Sequence, residues 1–362
     1  MTAGLTVEPV ALDMAKAEAF FGKVLGDLAG MIGTWLASIG DRYHLFSDLS
    51  ERGPATAGEL AARAGIDSHY AREWLAAVSS AGYIEYDPAT RRFSLTPEHA
   101  MVISQEGSPF FFAGFFQQYR SMCRLSDSIT DAFASGRGIP IAAYDDDWFE
   151  GMERNTFAAF DNFLVQQWIP AMPDVQAKLE RGALVADVGC GRGRAIIKLA
   201  EAYPRSTFIG FDLVEASLAS ATASAVAAGV SDRDRFERYN VEDGLPEAVD
   251  VVTAFDVVHD AAHPVSFLRA IRQSLRPDGI FVCLDFNSSE KLEENVGPVG
   301  TFLHGSSIVY CKTTALAEGG EGIGAAGLHE AKLRELSAEA GFSAVRDVPI
   351  DNPFNKLYEI RP

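Results

Sequence analysis

The amino-acid sequence predicts an α/β protein that also carries an N-terminal helical domain. From about residue 182 onward, β-like and helical runs alternate, which is typical of an open sheet of parallel strands joined by helices. Before residue 100, apolar residues recur at three- and four-residue steps, which is typical of helices. The length of 362 residues is enough for two domains, and a hydrophobic content of 48% is enough for a large core.

The first predicted helix covers residues 13–39. Its apolar stripe consists of Phe20, Val24, Leu28, Met31, Ile32, Trp35, Leu36 and Ile39. Two interpretations of a stripe so near the chain terminus remain open. It packs on the core of its own chain, or it forms the face of a homodimer. We expect the homodimer.

Residues 54–97 predict two short helices followed by a hairpin. Thr56 and Glu59 have the spacing of a capping box at the start of a helix that ends near Gly65. A second helix covers residues 68–81, and two β-like runs follow on either side of a turn. This order of elements is the winged-helix arrangement, with the second helix in the position that reads DNA in many such domains.

The charge of the chain argues against a nucleic-acid partner for this unit. The sequence has 31 Lys and Arg against 50 Asp and Glu, a net charge of −19. Residues 1–110 contain eight basic and fourteen acidic residues, a difference of −6, and the second helix has one basic residue, Arg72. Because contacts to phosphates need several cations, we expect a structural or dimerising role and no nucleic-acid partner.

Residues 106–180 are predicted to form a helical link that is rich in aromatic residues. Ten of the 24 phenylalanines lie in this segment, and most of these rings are expected to pack in a core. A few of them are candidates for the wall of an apolar substrate pocket. Tyr144, Trp148 and Phe149 follow a loop at residues 136–143, where they are candidates for a lid over a substrate.

The second half of the chain predicts seven strands and four helices. The predicted strands are residues 183–188, 207–211, 236–240, 249–254, 280–285, 344–350 and 357–360. The predicted helices are residues 195–202, 218–228, 264–275 and 330–340. Ligands of open parallel sheets bind outside the carboxyl ends of the strands, so the residues that follow the strands are the site candidates.

Glycines and carboxylates follow the first two strands of this half. The first strand leads through Asp187 into Gly189, Gly191 and Gly193, where the missing Cβ atoms let a ligand approach the start of the next helix. The order D-x-G-x-G-x-G differs from the G-x-G-x-x-G of dinucleotide sites, and the preceding acid suits a cationic ligand better than a pyrophosphate. Asp212, at the end of the second strand, supplies a carboxylate for a ribose diol.

These motifs resemble the S-adenosylmethionine site of class I methyltransferases. The likeness covers residues 181–362, and the whole chain is similar to two-domain bacterial methyltransferases with an N-terminal winged-helix domain of the dimerisation type. The resemblance implies a Rossmann-like sheet with an antiparallel last strand and S-adenosylmethionine as cofactor. The predicted domains are residues 1–105 (winged helix), 106–180 (aromatic link and substrate pocket) and 181–362 (cofactor domain).

The resemblance also implies which residues surround the cofactor. Asp187 and the glycine loop would hold the methionine end and the sulfonium, and Asp212 would hold the ribose hydroxyls. The segment at residues 240–242 would lie along the adenine edge, and Phe255 would line the cleft. The implied cofactor-binding residues are Asp187, Gly189, Cys190, Gly191, Gly193, Asp212, Leu213, Asn240, Val241, Glu242 and Phe255.

His259 and Asp260 follow the fourth strand and are the candidate catalytic residues. Transfer of a methyl group to a protonated oxygen or nitrogen needs a general base, and a histidine at this edge has a suitable titration range. The alternative is that His259 fixes the loop before the next helix. His263 has the spacing of an HExxH zinc site, but Pro264 indicates a new helix, so no such site is expected. His304 is a candidate for the substrate or, with His259, for a metal, but without a clear third ligand no metal is expected.

The expected function is S-adenosylmethionine-dependent methylation of a small apolar or aromatic metabolite. Two alternatives remain open: a winged-helix transcriptional regulator that senses the cofactor or a metabolite, and a nicotinamide-dependent reductase, which the glycine spacing disfavours. The four cysteines have no CxxC spacing, which indicates reduced thiols. The sequence shows neither an export signal nor a run of about 18 apolar residues, so we expect a cytoplasmic protein with no membrane partner.

Overall fold

The computed structural model describes residues 12–362, which form two compact units that divide after Ala100. The first unit contains the N-terminal helices and the hairpin, and the second unit, Met101–Pro362, contains the sheet. The aromatic segment at residues 106–180 belongs to the same compact unit as the sheet. The expectation of no export signal concerns mostly residues 1–11, which lie outside the described part. Among the described residues, no helix is long and apolar enough to cross a membrane.

The first unit has the element order of a winged helix. Its elements are α1 (Met14–Arg42), α2 (Leu45–Arg52), α3 (Ala57–Ala64), α4 (Ser68–Ser80), β1 (Glu85–Asp87), β2 (Arg92–Ser94) and α5 (Pro97–Ile103), which crosses the division. The predicted capping box is confirmed, since the Glu59 N–H donates to Thr56 Oγ1 at 3.4 Å and the Thr56 N–H donates to the Glu59 carboxylate at 2.8 Å. Arg92 donates to the same carboxylate at 2.7 and 2.8 Å and so ties β2 to α3.

Among the described residues of the first unit, no other element covers the first turns of helix α1. Every residue from Leu12 to Ile32 is exposed, and burial begins at Gly33. The exposed apolar residues Phe21, Leu25, Leu28, Ile32 and Trp35 follow one another at steps of four and three, which is the spacing of a coiled-coil seam. The described core of the first unit therefore does not cover the first part of the apolar stripe.

The second unit begins with a set of helices that lead to the sheet. They are α6 (Gly114–Arg124), α7 (Ser126–Ser135), α8 (Asp146–Ala159), its π-helical continuation Phe160–Trp168, and α9 (Pro173–Arg181). Helices α6 and α8 approach closely at Gly114 and Gly151. A Cβ on Gly151 would lie 2.6 Å from the Gly114 carbonyl oxygen, and a Cβ on Gly114 would clash with the Gly151 carbonyl oxygen. This contact fixes α8, and the buried Trp168 anchors its continuation in the core.

The seven-stranded sheet has the order β5–β4–β3–β6–β7–β9–β8. Its strands are β3 (Leu184–Val188), β4 (Thr207–Asp212), β5 (Asp234–Arg238), β6 (Val249–Phe255), β7 (Leu275–Phe286), β8 (Ala344–Val348) and β9 (Asn355–Arg361). The first five strands in this order pair in parallel, whereas β9 is antiparallel to both of its neighbours. The seven predicted strands and the antiparallel last strand are confirmed. The order reverses between β3 and β6, which places a ligand crevice at their carboxyl ends.

Helices cover both faces of the sheet. α10 (Arg194–Ala202) and α11 (Glu215–Ala228) pack on one face with α9, and α12 (Pro264–Ser274) and α15 (Glu330–Ala340) pack on the other. Between β7 and α15 the chain also forms α13 (Gly297–Ser306), the π-helical turn Ser307–Cys311 and α14 (Lys312–Ala317). Leu303 and Tyr310 of this segment pack with Tyr144 and Trp148 in a separate cluster. Successive strand residues point to opposite faces, so Val185 and Val251 pack in one core and Ala186 and Val252 in the other. Because both faces of the sheet are buried, its polar side chains reach the surface mainly at the strand ends, which is where the candidate site lies.

Candidate functional site

Three glycines shape the loop between β3 and α10. Gly189, Gly191 and Gly193 all have positive φ, which side chains disfavour. A Cβ on Gly193 would lie 2.8 Å from Phe236 and 2.9 Å from Ala221, so this glycine packs beneath the loop and does not line the cavity described below. A Cβ on Gly191 would meet no atom within 4 Å. The space beside Gly191 is therefore open to a ligand.

Two buried carboxylates flank this loop. The Asp212 carboxylate accepts hydrogen bonds from the backbone N–H groups of Gly191 and Val214, each at 2.8 Å, and burial raises its pKa. Asp187 is 3% exposed and accepts a hydrogen bond from Thr253 Oγ1 at 2.6 Å. Burial raises the pKa of Asp187 to about 7, the Thr253 hydrogen bond lowers it, and the nearby Asp212 adds to the rise.

These groups line one cavity of about 250 Å³ at the carboxyl ends of β3, β4 and β6. The predicted residues that line it are Asp187, Gly189, Cys190, Gly191, Asp212, Leu213, Asn240, Val241, Glu242, Phe255, Phe149 and Asp260. Another part of the lining comes from the turn at Ile141–Ala143, from α8 and its continuation, and from the segment that ends in α14. Its apolar members are Ile141, Phe149, Met152, Phe160, Tyr310 and Ala315, and its polar members are Glu153, Thr156, Thr314 and Glu318. Polar and apolar walls of this kind are typical of small-molecule sites.

Sequence reasoning missed an ion-pair cluster at the glycine loop. Arg192 and Arg194 both line the cavity and both donate to Glu153 of α8, at 3.3 and 2.5 Å. Arg192 also pairs with Asp146 at the start of α8. The Arg192 Nε atom is buried and has no hydrogen-bond partner among the described residues. Arg192 within the glycine motif and Arg194 directly after it could have indicated an ion-pair site, but their partner Glu153 lies about 40 positions earlier in the sequence.

His259 lies behind the cavity wall, not on it. The side chain is 3% exposed, its Nδ1 is 2.7 Å from Asp285 Oδ1, and its Nε2 is 3.2 Å from Asp260 Oδ1. Burial lowers the pKa of His259, but Asp260 and Asp285 raise it by more, so the pKa lies well above its ordinary value. Asp260 is the member of the pair that reaches the cavity.

A cysteine that sequence reasoning did not connect with the site also meets this pair. Cys311 Sγ, a His259 ring nitrogen and an Asp260 oxygen lie within 4.8 Å of one another. Cys311 is buried, as are Cys190 and Cys283, whereas Cys123 on α6 is exposed. Among the residues that the structure describes, the donors grouped with His259 are thus Asp260 and Cys311, and His304 is not one of them.

The remaining candidates lie away from the cavity. Tyr144 and Trp148 pack with Tyr310 at ring distances of 5.0 Å, and the Tyr144 hydroxyl donates to a backbone carbonyl, so these two residues do not line it. His304 does not line it either, although its Nε2 is buried without a hydrogen-bond partner among the described residues. His263 precedes α12 and contacts Glu242 at 2.9 Å, so the helical spacing of an HExxH site is absent here.

The strand order, the antiparallel last strand and the glycine loop between two acids define a class of protein. They are the features of a class I S-adenosylmethionine-dependent methyltransferase domain, here preceded by a winged-helix domain. The cavity lies where the strand order reverses, as in other open α/β sheets.

Comparison with protein families supports both parts of this description. Residues 179–336 match the family described as methyltransferase domain. Residues 32–105 match the family described as Rv2258c-like winged HTH domain. The chain therefore carries a methyltransferase domain and a winged helix-turn-helix domain.

Curated relatives align with part of the methyltransferase half. The ubiquinone biosynthesis O-methyltransferase of Pseudomonas syringae pv. tomato is 35% identical over 119 residues, which are 33% of this chain and 48% of that protein. The protein of the same name from Neisseria meningitidis serogroup C is 34% identical over 117 residues, 31% of this chain and 47% of that protein. The chain thus spans about half the length of the curated relatives that it matches.

Solved structures share the fold over almost the whole chain. The mitomycin 7-O-methyltransferase MmcR has a TM-score of 0.71 at 18% identity and covers 96% of this chain and 99% of its own. Human N-acetylserotonin methyltransferase, solved with S-adenosylmethionine, has a TM-score of 0.68 at 18% identity, with 97% and 99% covered. At such identities the likeness concerns the fold.

The raised pKa of Asp187 predicts that this residue destabilises the protein. Between its unfolded value of 3.8 and its folded value of about 7, the folded protein holds a proton that the unfolded chain has lost, so stability falls as pH rises through this window. We expect Asp187→Asn to raise the free energy of unfolding at about pH 8 by up to ~4 kcal/mol, and to change it little near pH 4. Urea denaturation at several pH values measures this, with the exposed Asp131→Asn as control. Equal effects at both pH values would contradict it.

Proposed function

We propose that this protein is an S-adenosylmethionine-dependent methyltransferase that acts on a small apolar or aromatic acceptor in the cytoplasm. The observation that carries the proposal is one cavity with two different ends. One end is formed by the glycine loop and the acids Asp187 and Asp212, and the other end is apolar and aromatic. A donor and an acceptor can therefore meet in a single cavity, as transfer of a group between two molecules requires.

The polar end fits S-adenosylmethionine. The open space beside Gly191 lets the ligand approach the backbone, and the Asp212 oxygens keep lone pairs for the two ribose hydroxyls beside their backbone hydrogen bonds. A cation near Asp187 would offset the cost of ionising this buried acid. Val241 and Asn240 line the cavity beyond Asp212 and suit the adenine edge.

Arg192 suits the carboxylate of the methionine part. It lies within the glycine loop, lines the cavity and has a buried Nε donor without a hydrogen-bond partner among the described residues. Glu153 and Asp146 hold its other nitrogens, so the guanidinium is fixed in place. A fixed guanidinium with a free donor is a good partner for a carboxylate. We assign Arg192 to this end of the cofactor.

The apolar end suits an aromatic acceptor. Bound S-adenosylmethionine supplies an activated methyl carbon, so the protein contributes mainly position and exclusion of water. Phe149, Phe160 and Tyr310 form a wall that does both. Asp260, which lines the cavity from the turn after β6, is placed to take a proton from an acceptor hydroxyl or amine. His259 acts through Asp260 as a positioning residue, because Asp285 fixes its ring from behind.

The first unit supports dimerisation better than binding of nucleic acid. Its wing has two adjacent arginines, and Arg92 is engaged by Glu59. The uncovered apolar stripe of α1 has the spacing with which two copies pack as a coiled coil. We therefore infer a homodimer in which α1 of one chain meets α1 of the other.

Shortened ligands test the assignment of the cofactor. S-adenosylhomocysteine has the amino-acid part that 5′-methylthioadenosine lacks, and both have the ribose. We expect Arg192→Gln to weaken S-adenosylhomocysteine about tenfold or more and to leave 5′-methylthioadenosine unchanged, whereas Asp212→Ala weakens both. Isothermal titration of the wild type and both variants with each ligand gives the six affinities. If the wild-type protein binds neither ligand, the proposed function fails. If Arg192→Gln weakens both ligands equally, the role of Arg192 is wrong.

A panel of acceptors tests the activity itself. We expect release of S-adenosylhomocysteine with one or more small phenols, amines or keto acids. With the best aromatic acceptor, Phe149→Ala should raise KM about tenfold, which is ~1.4 kcal/mol of lost apolar contact. The exposed Phe133, which does not line the cavity, gives the matched control Phe133→Ala. Turnover by neither aromatic nor apolar acceptors would contradict this part of the proposal.

The stripe of α1 predicts the assembly state. The wild-type protein should have the mass of a dimer in light scattering, and Phe21→Glu with Leu28→Glu should yield monomers, because two charges would be buried in the seam. Ala19→Glu with Gly26→Glu adds the same charge on the opposite side of the helix and should leave the dimer intact. A monomeric wild-type protein, or a dimer that tolerates both pairs equally, would refute the interface.

A further inference from the structure

Three potential metal donors meet at the wall of the cavity. They are His259 and Asp260, from the turn after β6, and Cys311, from the π-helical turn before α14. One ligand atom from each of the three lies within 4.8 Å of those of the other two. Short π-helical turns occur often at functional sites because they move a side chain out of helical register. Here such a turn carries a buried thiol into contact with a histidine–carboxylate pair.

The histidine of this group has the support that metal-binding histidines have. Its Nδ1 is hydrogen-bonded to Asp285 Oδ1 at 2.7 Å, and the Phe286 N–H fixes the same oxygen at 2.8 Å. A carboxylate behind one ring nitrogen orients the other nitrogen toward a metal and raises its basicity. The other nitrogen, Nε2, is the one that faces Asp260.

An independent observation concerns one oxygen of the Asp260 carboxylate. Asp260 Oδ1 is buried and makes no hydrogen bond with the described residues, although His259 Nε2 lies 3.2 Å away. Buried polar atoms without partners are rare, and each calls for a physical reason. A cation among the three donors would be such a reason.

We propose that His259, Asp260 and Cys311 bind a zinc ion whose fourth position opens into the cavity. Nitrogen, oxygen and sulfur donors together suit zinc, whereas Mg²⁺ and Ca²⁺ prefer oxygen alone. Three protein ligands with an open position are the pattern of reactive zinc sites, and closed sites have four. Asp260 is the one of the three donors that lines the cavity, so we place the open position on its side of the group. A hydroxyl or thiol of the acceptor would bind there; this last point rests on the proposed function.

Metal analysis of the purified full-length chain tests the site. Grown with added zinc, the protein should hold about one zinc per chain, and Cys311→Ser should lower the zinc content about tenfold or more. The metal-free protein titrated with Co²⁺ should show a thiolate-to-cobalt absorption band that Cys311→Ser abolishes. Cys283→Ser removes an equally buried cysteine outside the group and should keep both signals. If Cys311→Ser does not fold, Asp260→Asn, at a partly exposed position, replaces it.

The outcomes separate this inference from the proposed function. Less than about a tenth of a zinc per chain after growth with zinc, or the same content and cobalt band in Cys311→Ser as in the wild type, would overturn the site. Titration of the same samples with S-adenosylhomocysteine reports on the cofactor alone. If the protein binds the cofactor but no zinc, only the zinc site is refuted. If it binds zinc but not the cofactor, the proposed function is refuted, and with it the binding of an acceptor at the fourth position.

Discussion

Burial of carboxylates at the carboxyl edge of the sheet is the constraint on which the site depends. Four neighbouring strands each deliver one acid to this edge, namely Asp187, Asp212, Asp256 and Asp285. Burial raises the pKa of the first three, because an anion loses its water there. Each acid has a fixed hydrogen-bond partner. Asp187 accepts from the Thr253 hydroxyl, and Asp212 accepts from the backbone N–H groups of Gly191 and Val214. Asp256 accepts from the Asn355 side chain, and Asp285 is hydrogen-bonded to His259. Since adjacent elements supply these donors, folding of the sheet arranges the site before any ligand arrives.

The apolar end of the cavity depends on how α8 is held. Glycines at its contact with α6 bring the two helices close, and Glu153 joins it to both arginines of the glycine loop. The same helix thus supplies Phe149 to the apolar part of the lining and Glu153 to the glycine-loop end, so one helix joins both parts of the cavity.

Local patterns were enough to predict the sheet and the polar end of the site. Each strand is a short apolar run, and the glycine motif and Asp212 lie within about 25 positions, so spacing alone connects them. Arg192 and Glu153 are 39 positions apart, and His259 and Cys311 are 52 positions apart. The members of each pair meet only when the chain has folded, so spacing along the sequence does not reveal them. Packing also decided that Tyr144 and Trp148 turn toward Tyr310, although their position after a loop suggested a lid. Spacing did not predict that Gly193 packs beneath the loop, because Phe236 and Ala221 come from later elements.

The single exposed thiol among the four cysteines has a practical consequence. Cys123 lies on the solvent side of α6, and the other three are shielded. A maleimide reagent will therefore react first at this position of the unmodified chain, without removal of any native cysteine. Because α6 contacts α8 through Gly114 and Gly151, an environment-sensitive dye attached at Cys123 is one helix away from the part of the cavity lining that α8 forms. The natural sequence thus offers a labelling position from which changes in α8 can be followed by fluorescence.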